Sequence, residues 1–371
     1  MDVAHPRPPL RSRGEDNEGN AVTHLWVRAE QRDNEARVGI TPAGVVALRA
    51  AGVKVTVEQS SVRAIPIDGY AAAGCAIAPE NSWPDAPADA IVFGLKEVPE
   101  DGTPLRHRQI MFGHAYKGQS AGRLLLDRFA AGGGTLLDLE YLVDESGRRV
   151  AAFGYWAGFA GAAVSYHCWV AQQRGELAGP ISRFADKAAL LQALTNLYDG
   201  PKPNAMVIGA LGRVGTGASD FCEAMDIAVT KWDLAETANG GPFPEVLQHD
   251  LFFNCILARP GCPVFVPASA RDAERRLTVI GDIACDPTSK FSPIKVCDRV
   301  TTWAAPALRV ADRPPLDVMA IDNLPSLLPI ESSTDYAEQL LPSLMSLADL
   351  DTRDGGAGVW HRAQAVFEAH V

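Results

Sequence analysis

A glycine-rich segment at residues 209–217, GALGRVGTG, limits what this chain can fold into more than any other feature. It follows the apolar run 204–208 and precedes a predicted helix at 218–225. Glycine is needed there because the backbone must turn tightly and approach a pyrophosphate, which the free N–H groups at the helix start then stabilise. The segment predicts a dinucleotide-binding strand–turn–helix unit, although a glycine-rich turn without a ligand would have the same pattern.

The strand predicted at 227–233 ends in a carboxylate, Asp233. This residue stands about two dozen residues after the first glycine, as in dinucleotide-binding units. A carboxylate at that place can accept hydrogen bonds from the adenosine ribose and repels a 2′-phosphate. We therefore expect NAD rather than NADP as the cofactor.

Short apolar runs alternate with helical stretches along the rest of the chain. A helix is predicted to begin at Thr41-Pro42, because threonine caps helices and proline suits their first turn. Strands that alternate with helices form parallel sheets with crossover helices, so the pattern predicts an α/β fold. We expect one domain at 24–153 plus 329–371 and a nucleotide-binding domain at 154–328. Further strands are predicted at 53–59, 89–95, 109–116, 135–142, 250–257 and 276–284.

Charge and cysteine content exclude several classes of protein. Acidic residues exceed basic residues by 45 − 34 = 11, so we expect neither nucleic acid nor an anionic membrane as a partner. Seven cysteines are an odd number and form no CxxC pairs, which favours reduced thiols in a cytoplasmic enzyme over disulfides or a metal site. Residues 1–23 are predicted to be a flexible tail, because they lack the apolar core of a signal peptide.

One stretch without formal charge, residues 150–173, is long enough to span a bilayer. Gly154, Gly158 and Gly161 dilute its hydrophobicity, and polar side chains crowd its second half. We therefore favour a buried helix whose small residues let another backbone approach closely, and a membrane span is the alternative.

Lys96 and His114 each stand at the end of an apolar run, and ligands bind at that edge of a parallel sheet. A lysine acts as a base only if burial or a nearby cation lowers its pKa, and carboxylates oppose that change. Glu97 follows Lys96, and Glu140 ends another predicted strand. The four side chains are candidates for one acid–base site, although Lys96 could equally be a surface lysine and His114 a structural histidine.

Arginines are the second group of candidates: Arg32 and Arg37 in the first loop, and Arg148 and Arg149 after the strand that carries Glu140. Arginine binds carboxylates with two hydrogen bonds. Beside a lysine–histidine pair, these arginines predict a substrate with several carboxylates. A solvated hairpin tip is the alternative for Arg148 and Arg149.

Eight segments resemble the NAD-dependent, lysine-forming saccharopine dehydrogenases, in the family's order and over nearly all of the chain after residue 23. More distantly, the first segment and the lysine–histidine pair resemble alanine dehydrogenase and the nucleotide-binding subunit of transhydrogenase. The segments are VRAEQRDNEARVGITP (27–42), GLKEVPE (94–100), FGHAYKGQ (112–119), LLDLEYL (136–142), GRRVAAFGYWAGFAGAA (147–163), GALGRVGTGA (209–218), KWDLAET followed by GGPF (231–243) and IDNLPSLLP (321–329).

The resemblance implies two Rossmann-like domains with parallel sheets, NAD on the second domain and the active site in the cleft between them. It also implies oxidative C–N cleavage of saccharopine to L-lysine and 2-oxoglutarate, through hydride transfer and imine hydrolysis. On this basis Lys96 is the base for the secondary amine and His114 the acid–base group for the imine. Glu97 and Glu140 are expected to adjust the pKa values of those two residues.

The resemblance also implies which residues bind the substrate and the cofactor. The substrate contacts are Arg37, Lys96, Arg149 and Phe153, with Arg32 and Lys117 as further cations at the cleft. The NAD contacts are Gly209, Gly212, Arg213, Val214, Gly215, Asp233, Thr237, Leu257, Ile283, Ile321, Asp322, Asn323 and Leu324.

Two alternatives stay open at this point. The same residues could cleave a related N6-substituted lysine or another opine-type secondary amine, and the chain could instead be a non-catalytic NAD-binding protein. The expected partners are a small amino-acid substrate with several carboxylates and a 2-oxo acid. We expect a monomer or a weak homo-oligomer.

Overall fold

The first part of the chain forms a parallel sheet. The structure is a computed structural model, and it describes residues 22–32, 34–118, 120–351 and 357–371. The strand order is β3-β2-β1-β4-β5-β6, and every pairing is parallel. The strands are β1 (His24–Val27), β2 (Lys54–Glu58), β3 (Ala76–Ala78), β4 (Ile91–Phe93), β5 (Arg108–Met111) and β6 (Thr135–Asp138).

The two faces of this first sheet bury different apolar side chains, because successive residues of a strand point to opposite faces. On β4, Ile91 and Phe93 belong to one core and Val92 to the other. Helices α1 (Pro42–Ala50) and α2 (Ile67–Ala72) cover the first face, and α3 (Ser120–Gly132) covers the second. As predicted, α1 begins after Thr41, whose Oγ1 accepts a hydrogen bond from the Gly44 amide.

The second part of the chain forms another sheet, in the order β11-β12-β10-β9-β7-β8. The strand order reverses between β7 and β9, which opens a crevice at the carboxyl edge. The strands are β7 (Asn204–Ile208), β8 (Ala228–Trp232), β9 (Leu251–Asn254), β10 (Val279–Asp282), β11 (Leu308–Asp312) and β12 (Pro315–Met319). The helices are α4 (Gly154–Gln173), α5 (Lys187–Leu197), α6 (Arg213–Ala224) and α7 (Leu234–Thr237).

The α/β prediction is confirmed, with differences in detail. The second sheet is not wholly parallel, because β11 pairs with β12 in the antiparallel direction. The sequence analysis did not predict this hairpin, because the edge strand β11 is only partly buried and has no continuous apolar run. The predicted strands were also too long: β6 ends at Asp138, so Glu140 lies in the loop after it.

The helix after the glycine-rich segment begins at Arg213 rather than at 218. The prediction placed its start too late because glycine disfavours helix interiors, and Gly215 and Gly217 lie in the first turns of α6. Their role is close packing: a Cβ atom on Gly217 would lie 1.9 Å from the Tyr155 carbonyl oxygen on α4.

The uncharged stretch at 150–173 is mostly α4, which packs extensively against α6 and also contacts β10 and β12. Its apolar composition is explained by this burial. In the described part of the chain, no helix is both long and apolar enough to cross a membrane.

The C-terminal stretch returns to the first sheet. Helix α8 (Pro329–Met345) contributes Tyr336 and Leu340 to the core of the first face, and α9 (Gly358–Glu368) contributes Trp360. The division into two domains at the predicted boundaries stays a prediction. The described residues also form five 3₁₀ helices: Trp83–Asp85, Pro244–Gln248, Ala268–Arg271, Leu324–Leu327 and Ser346–Asp349.

The predicted N-terminal tail falls outside the described residues up to position 21. Val22 and Thr23 are described, and the Thr23 carbonyl accepts a hydrogen bond from the Lys54 amide at the start of β2. All seven cysteines are free thiols.

The contact between α4 and α6 gives a test of the fold. A Cβ atom on Gly158 would lie 1.8 Å from the Val214 carbonyl oxygen. We expect Gly158→Ala to lower the free energy of unfolding by about 1–3 kcal/mol, measured by urea denaturation, because the helices must move apart. Gly179→Ala is the control, because its Cβ atom would enter open space. Equal midpoints for the two variants would contradict the close packing.

Candidate active site

Lys96 and His114 lie at the carboxyl edge of the first sheet. β4 ends at Phe93 and β5 at Met111, so each side chain follows its strand by three residues. The two strands are parallel neighbours, which brings their loops together at one edge. The Lys96 ammonium is close enough to oppose the rise in the His114 pKa. The structure thus brings the two catalytic candidates together.

The surroundings of Lys96 lower its pKa. Burial is the largest cause, and the guanidinium groups of Arg37 and Arg32 act in the same direction. The carboxylates of Glu35 and Asp322 oppose the change without cancelling it. A lysine in such a place loses its proton more easily than one in water, which suits a general base. Glu35 and Asp322 are thus the carboxylates with the largest influence on the Lys96 pKa.

His114 lies between that predicted pair of carboxylates. Its Nε2 atom is 3.6 Å from Glu97 Oε1, and its Nδ1 atom is 3.5 Å from Glu140 Oε2. The contact with Glu140 is the main cause that raises the pKa of His114, burial opposes it, and Glu97 adds to the rise. Glu140 also binds Lys117 Nζ at 2.8 Å, and His114 and Lys117 lower its pKa to about 2. Lys117 therefore neutralises Glu140 from the other side.

The loop that carries His114 is held by a carboxylate that the sequence analysis did not single out. Asp138, fully buried at the end of β6, accepts hydrogen bonds from the Gly113 amide (3.3 Å) and the Glu140 amide (2.9 Å). Burial raises the pKa of Asp138 to about 6. His114 itself has φ +48°, a conformation that costs energy for a residue with a side chain. Asp138 thus fixes the loops of both His114 and Glu140.

The main chain of Lys96 is held by an ion pair from the loop after β1. Glu30 accepts hydrogen bonds from the Leu95 amide (2.6 Å) and the Lys96 amide (3.0 Å). Arg28, whose side chain is 1% exposed, donates to the Lys96 carbonyl and lies 3.5 Å from Glu30. Gly94 is required beside them, because a Cβ atom there would lie 2.4 Å from the Arg28 guanidinium. Both polar groups of the Lys96 peptide are therefore fixed.

Arg37 lies in a buried ion pair beside an aromatic stack. Its Nε and Nη2 atoms donate to Glu35 at 2.8 and 2.6 Å. Its guanidinium carbon is 4.3 Å from the centre of the Phe153 ring, which stacks on Tyr336 with ring centres 4.1 Å apart. Nη1 of Arg37 has no hydrogen bond to the described residues. Glu35 thus occupies one edge of the guanidinium, and a ligand carboxylate can bind at Nη1.

The two adjacent arginines of the 143–149 hairpin differ. The Arg148 side chain is 84% exposed and lies 3.5 Å from Asp144, as expected of a solvated tip. Arg149 forms a bridge with Val143 at the base of the hairpin. Burial raises the pKa of Tyr336, and Arg149 and Arg37 both oppose that rise. Arg149 therefore lies on the side of the aromatic stack.

The glycine-rich segment has the form that a pyrophosphate needs. Gly209 follows β7 with φ +90°, and a Cβ atom on Gly215 would lie 2.1 Å from the Gly209 carbonyl oxygen. Gly212 precedes α6, so the N–H groups of Arg213 and Val214 in its first turn have no partner within the helix. These groups and the helix dipole can bind an anion.

The residues beside this turn fit the adenosine half of NAD. Asp233, the residue after β8, accepts hydrogen bonds from the amides of Leu211 and Leu234, both at 2.9 Å, and its partly exposed carboxylate has lone pairs left for a ribose. Thr237 packs behind it and donates to the Asp233 carbonyl. Leu211, Leu234 and Leu257 are 86%, 82% and 64% exposed, and they offer an apolar surface to a base. The residues present therefore fit the cofactor.

The other predicted cofactor residues follow β10 and β12 at the same edge of the second sheet. Ile283, Ile321 and Leu324 are buried. Asn323 accepts a hydrogen bond from the Trp303 indole at 2.7 Å. Asp322 is exposed and lies 3.8 Å from Arg32, so this edge faces the carboxyl edge of the first sheet. No group of His, Cys, Asp and Glu side chains that could hold a metal ion exists among residues 22–32, 34–118, 120–351 and 357–371.

Known proteins resemble this chain over most of its length. The family model described as alanine dehydrogenase/PNT, N-terminal domain, matches residues 26–160. The NAD-dependent, L-lysine-forming saccharopine dehydrogenase of Schizosaccharomyces pombe is 41% identical over 94% of this chain and 98% of its own length. The enzyme of the same name from Candida albicans is 42% identical over 94% of this chain and 97% of its own.

The chain belongs to the saccharopine dehydrogenase family.

A solved structure named L-alanine dehydrogenase superposes with a TM-score of 0.67 at 18% identity, covering 94% of this chain and all of that one. This likeness supports the two-sheet Rossmann-type fold alone. The family membership confirms the resemblance that the eight segments indicate.

Four charged residues at the site were not predicted, namely Arg28, Glu30, Glu35 and Asp138. The signal that could have found them is position: three lie in segment 27–42 and the fourth in 136–142, both of which resemble the family. Their partners are far away in sequence, so the contacts themselves have no sequence pattern.

The carboxylates around His114 give a pH test. Glu140 stabilises the protonated imidazole, so Glu140→Gln should lower the pKa of His114, and the protonated form should disappear at lower pH than in the unchanged protein. An NMR titration of the His114 ring measures this. Glu80→Gln is the control, because Glu80 binds Ser61 in another loop. An unchanged His114 pKa in Glu140→Gln would contradict the assignment.

Proposed function

We propose that the chain catalyses the NAD-dependent oxidative cleavage of saccharopine to L-lysine and 2-oxoglutarate. The observation that carries the proposal is the juxtaposition of a half-buried Lys96 of lowered pKa with His114, in a chain of this family. A protein that only binds NAD has no need of either group.

The substrate carries three carboxylates and a secondary amine, which agrees with the cations at the site. We assign the glutamate half of the substrate to Arg37, Arg149 and the Phe153 ring. Arg37 Nη1 and Arg149 bind its carboxylates, because arginine suits that shape and charge. The reacting carbon then lies near Lys96, whose environment includes Arg37.

Lys96 takes the proton from the secondary amine of the substrate. The lowered pKa of Lys96 makes its neutral form more accessible than that of a lysine in water. Bound NAD supplies an acceptor for the hydride that leaves the glutamate-side α-carbon. The N–H groups of Arg213 and Val214 would hold its pyrophosphate, and the Asp233 carboxylate would hold its ribose.

His114 serves the hydrolysis of the imine. Its neighbouring carboxylates favour the protonated ring, so His114 can donate a proton. The neutral ring that results can take a proton from the water that attacks the imine. The products are lysine and 2-oxoglutarate, and the water supplies the carbonyl oxygen. The exposed position of the His114 side chain, 43% accessible, leaves room for that water.

The Arg28–Glu30 pair is a positioning pair for Lys96. It holds the main chain around Lys96, and neither residue is among the largest causes of the shift in the Lys96 pKa. Its effect on the reaction is therefore geometric.

We further assign the enzyme to the cytoplasm as a monomer or weak homo-oligomer, without a nucleic-acid or membrane partner. The seven free thiols and the net charge of −11 support this assignment. We keep 24–153 plus 329–371 as the substrate domain and 154–328 as the NAD domain.

Oxidation of NADH by the purified protein tests the proposed function. We expect turnover with lysine plus 2-oxoglutarate, and none with glyoxylate or pyruvate as the keto acid. Lys96→Met should lose most of kcat and keep its affinity for NADH, measured by fluorescence titration, because Lys96 lies outside the nucleotide site. Turnover only with another keto acid, or an unchanged kcat in Lys96→Met, would contradict the proposal.

The positioning pair gives a second test. Two carboxylate oxygens of Glu30 accept the Leu95 and Lys96 amides, and Glu30→Gln replaces one of these oxygens with an NH₂ group. We expect kcat to fall on the order of tenfold to a hundredfold, because a small displacement of the Lys96 side chain is costly. The same change in the Lys96→Met background should have no further effect, whereas a merely structural role would add its own loss. Glu80→Gln, which removes another carboxylate that accepts a backbone hydrogen bond, is the matched control.

A further inference from the structure

Asp138 is a buried carboxylate next to the acid–base site, and the chemistry assigned to Lys96 and His114 does not use it. Its side chain is 0% exposed at the end of β6. Among the described residues, no lysine or arginine forms an ion pair with it, and its hydrogen bonds come from two main-chain amides. A buried carboxylate without a cationic partner costs stability, which points to a role in the site.

Each oxygen of Asp138 holds a different loop. Oδ2 accepts the Gly113 amide at 3.3 Å, one residue before His114, and Oδ1 accepts the Glu140 amide at 2.9 Å. The pairing of β5 with β6 ends at Met111 and Asp138. Beyond this point, the carboxylate continues the connection between the two loops. The placement of His114 beside Glu140 therefore depends on it.

The loop after β5 is shaped for a close approach to this carboxylate. A Cβ atom on Gly113 would lie 3.3 Å from Asp138 Oδ2 and 2.6 Å from the Leu136 side chain. The next residue, His114, has φ +48°, and such a conformation persists only where the surroundings hold it. A weaker bond between Gly113 and Asp138 would therefore let His114 relax away from its position.

The titratable groups that surround Asp138 come from three elements. Burial raises the pKa of Asp138 to about 6, the Glu140 charge acts in the same direction, and His114 and the two amides oppose the rise. The hydroxyl groups of Tyr116 and Tyr336 have no hydrogen-bond partner in the described part of the chain, so neither donates to the carboxylate. The groups are His114 and Tyr116 after β5, Glu140 and Tyr141 after β6, and Tyr336 on α8.

Protonation of Asp138 weakens its hold on the two loops. A hydrogen bond to a charged carboxylate is roughly twice as strong as one between neutral groups. The protonated oxygen also becomes a donor, which opposes an amide N–H group. Because the Gly113 and Glu140 amides use different oxygens, a proton on either oxygen weakens one of the two bonds directly.

We propose that Asp138 is a proton-dependent positioning residue, which holds the loops of His114 and Glu140 in place as a carboxylate and releases them as a neutral acid. The inference rests on the proposed function, because it concerns the imine hydrolysis that is assigned to His114. Asp138 acts through His114 and takes no part in proton transfer to the substrate.

The amide resonances of Gly113 and Glu140 test this hold without turnover. In an NMR titration of the unchanged protein, both amides should show a common step near pH 6, because both bind the same carboxylate. This step should be absent in Asp138→Asn. The Thr103 amide is the control, because its hydrogen bond lowers the pKa of Asp101, so its step should occur at lower pH. Different midpoints for Gly113 and Glu140, or no common step, would overturn the proposal.

The pH dependence of turnover separates positioning from a general loss of structure. The ratio of kcat between the unchanged protein and Asp138→Asn should be on the order of tenfold to a hundredfold at about pH 8, in NADH oxidation with lysine and 2-oxoglutarate. It should fall about fivefold to tenfold by pH 5, because only about a tenth of Asp138 is then a carboxylate. Titrations common to both proteins cancel in this ratio. A merely structural role would give the same ratio at each pH, which would overturn the proposal.

Asp186→Asn is the matched control for turnover. Asp186 caps α5 and accepts the Ala189 amide at 2.7 Å, and asparagine caps a helix as well as aspartate does. Its kcat should equal that of the unchanged protein at each pH. If Asp138→Asn does not fold, the common step in the unchanged protein still supports the proposal, and its absence overturns it. If the unchanged protein does not turn over lysine and 2-oxoglutarate, the proposed function fails, whereas the amide titration still decides whether Asp138 holds the loops.

Discussion

The rest of the site depends on keeping the Lys96 ammonium partly out of water and next to other cations. Each unit by which its pKa falls corresponds to about 1.4 kcal/mol of lost stability for the charged form. Burial and the nearby guanidinium groups of Arg37 and Arg32 destabilise the charged form of Lys96 in this way. Glu35 limits this destabilisation, because the Glu35 carboxylate accepts two hydrogen bonds from Arg37 and neutralises that buried guanidinium. Without Glu35, the burial of Arg37 beside Lys96 would leave two uncompensated cations.

His114, on the neighbouring loop, has the opposite environment. Carboxylates surround it, and they raise its pKa, while cations lower that of Lys96. Two titratable groups that their surroundings push in opposite directions are typical of an acid–base pair. The opposite pKa shifts of Lys96 and His114 require rigid loops, because a small shift of either loop would bring the cations near Lys96 and the carboxylates near His114 closer together. Asp138 and Glu30 provide this rigidity through hydrogen bonds to main-chain amides rather than through contacts with the reacting side chains.

The positions of several residues at the site could be predicted from the sequence, because strand ends and glycine-rich turns have local sequence patterns. The positions of Lys96 and His114 follow from two apolar runs, and the place of Asp233 beside the glycine-rich turn follows from its spacing after Gly209. The partners of Lys96 could not be predicted in this way. Glu30 reaches Lys96 because β1 pairs with β4, and that pairing joins segments that are distant in the sequence. The start of α6 could not be predicted either, because packing against α4 there outweighs the low helix propensity of glycine.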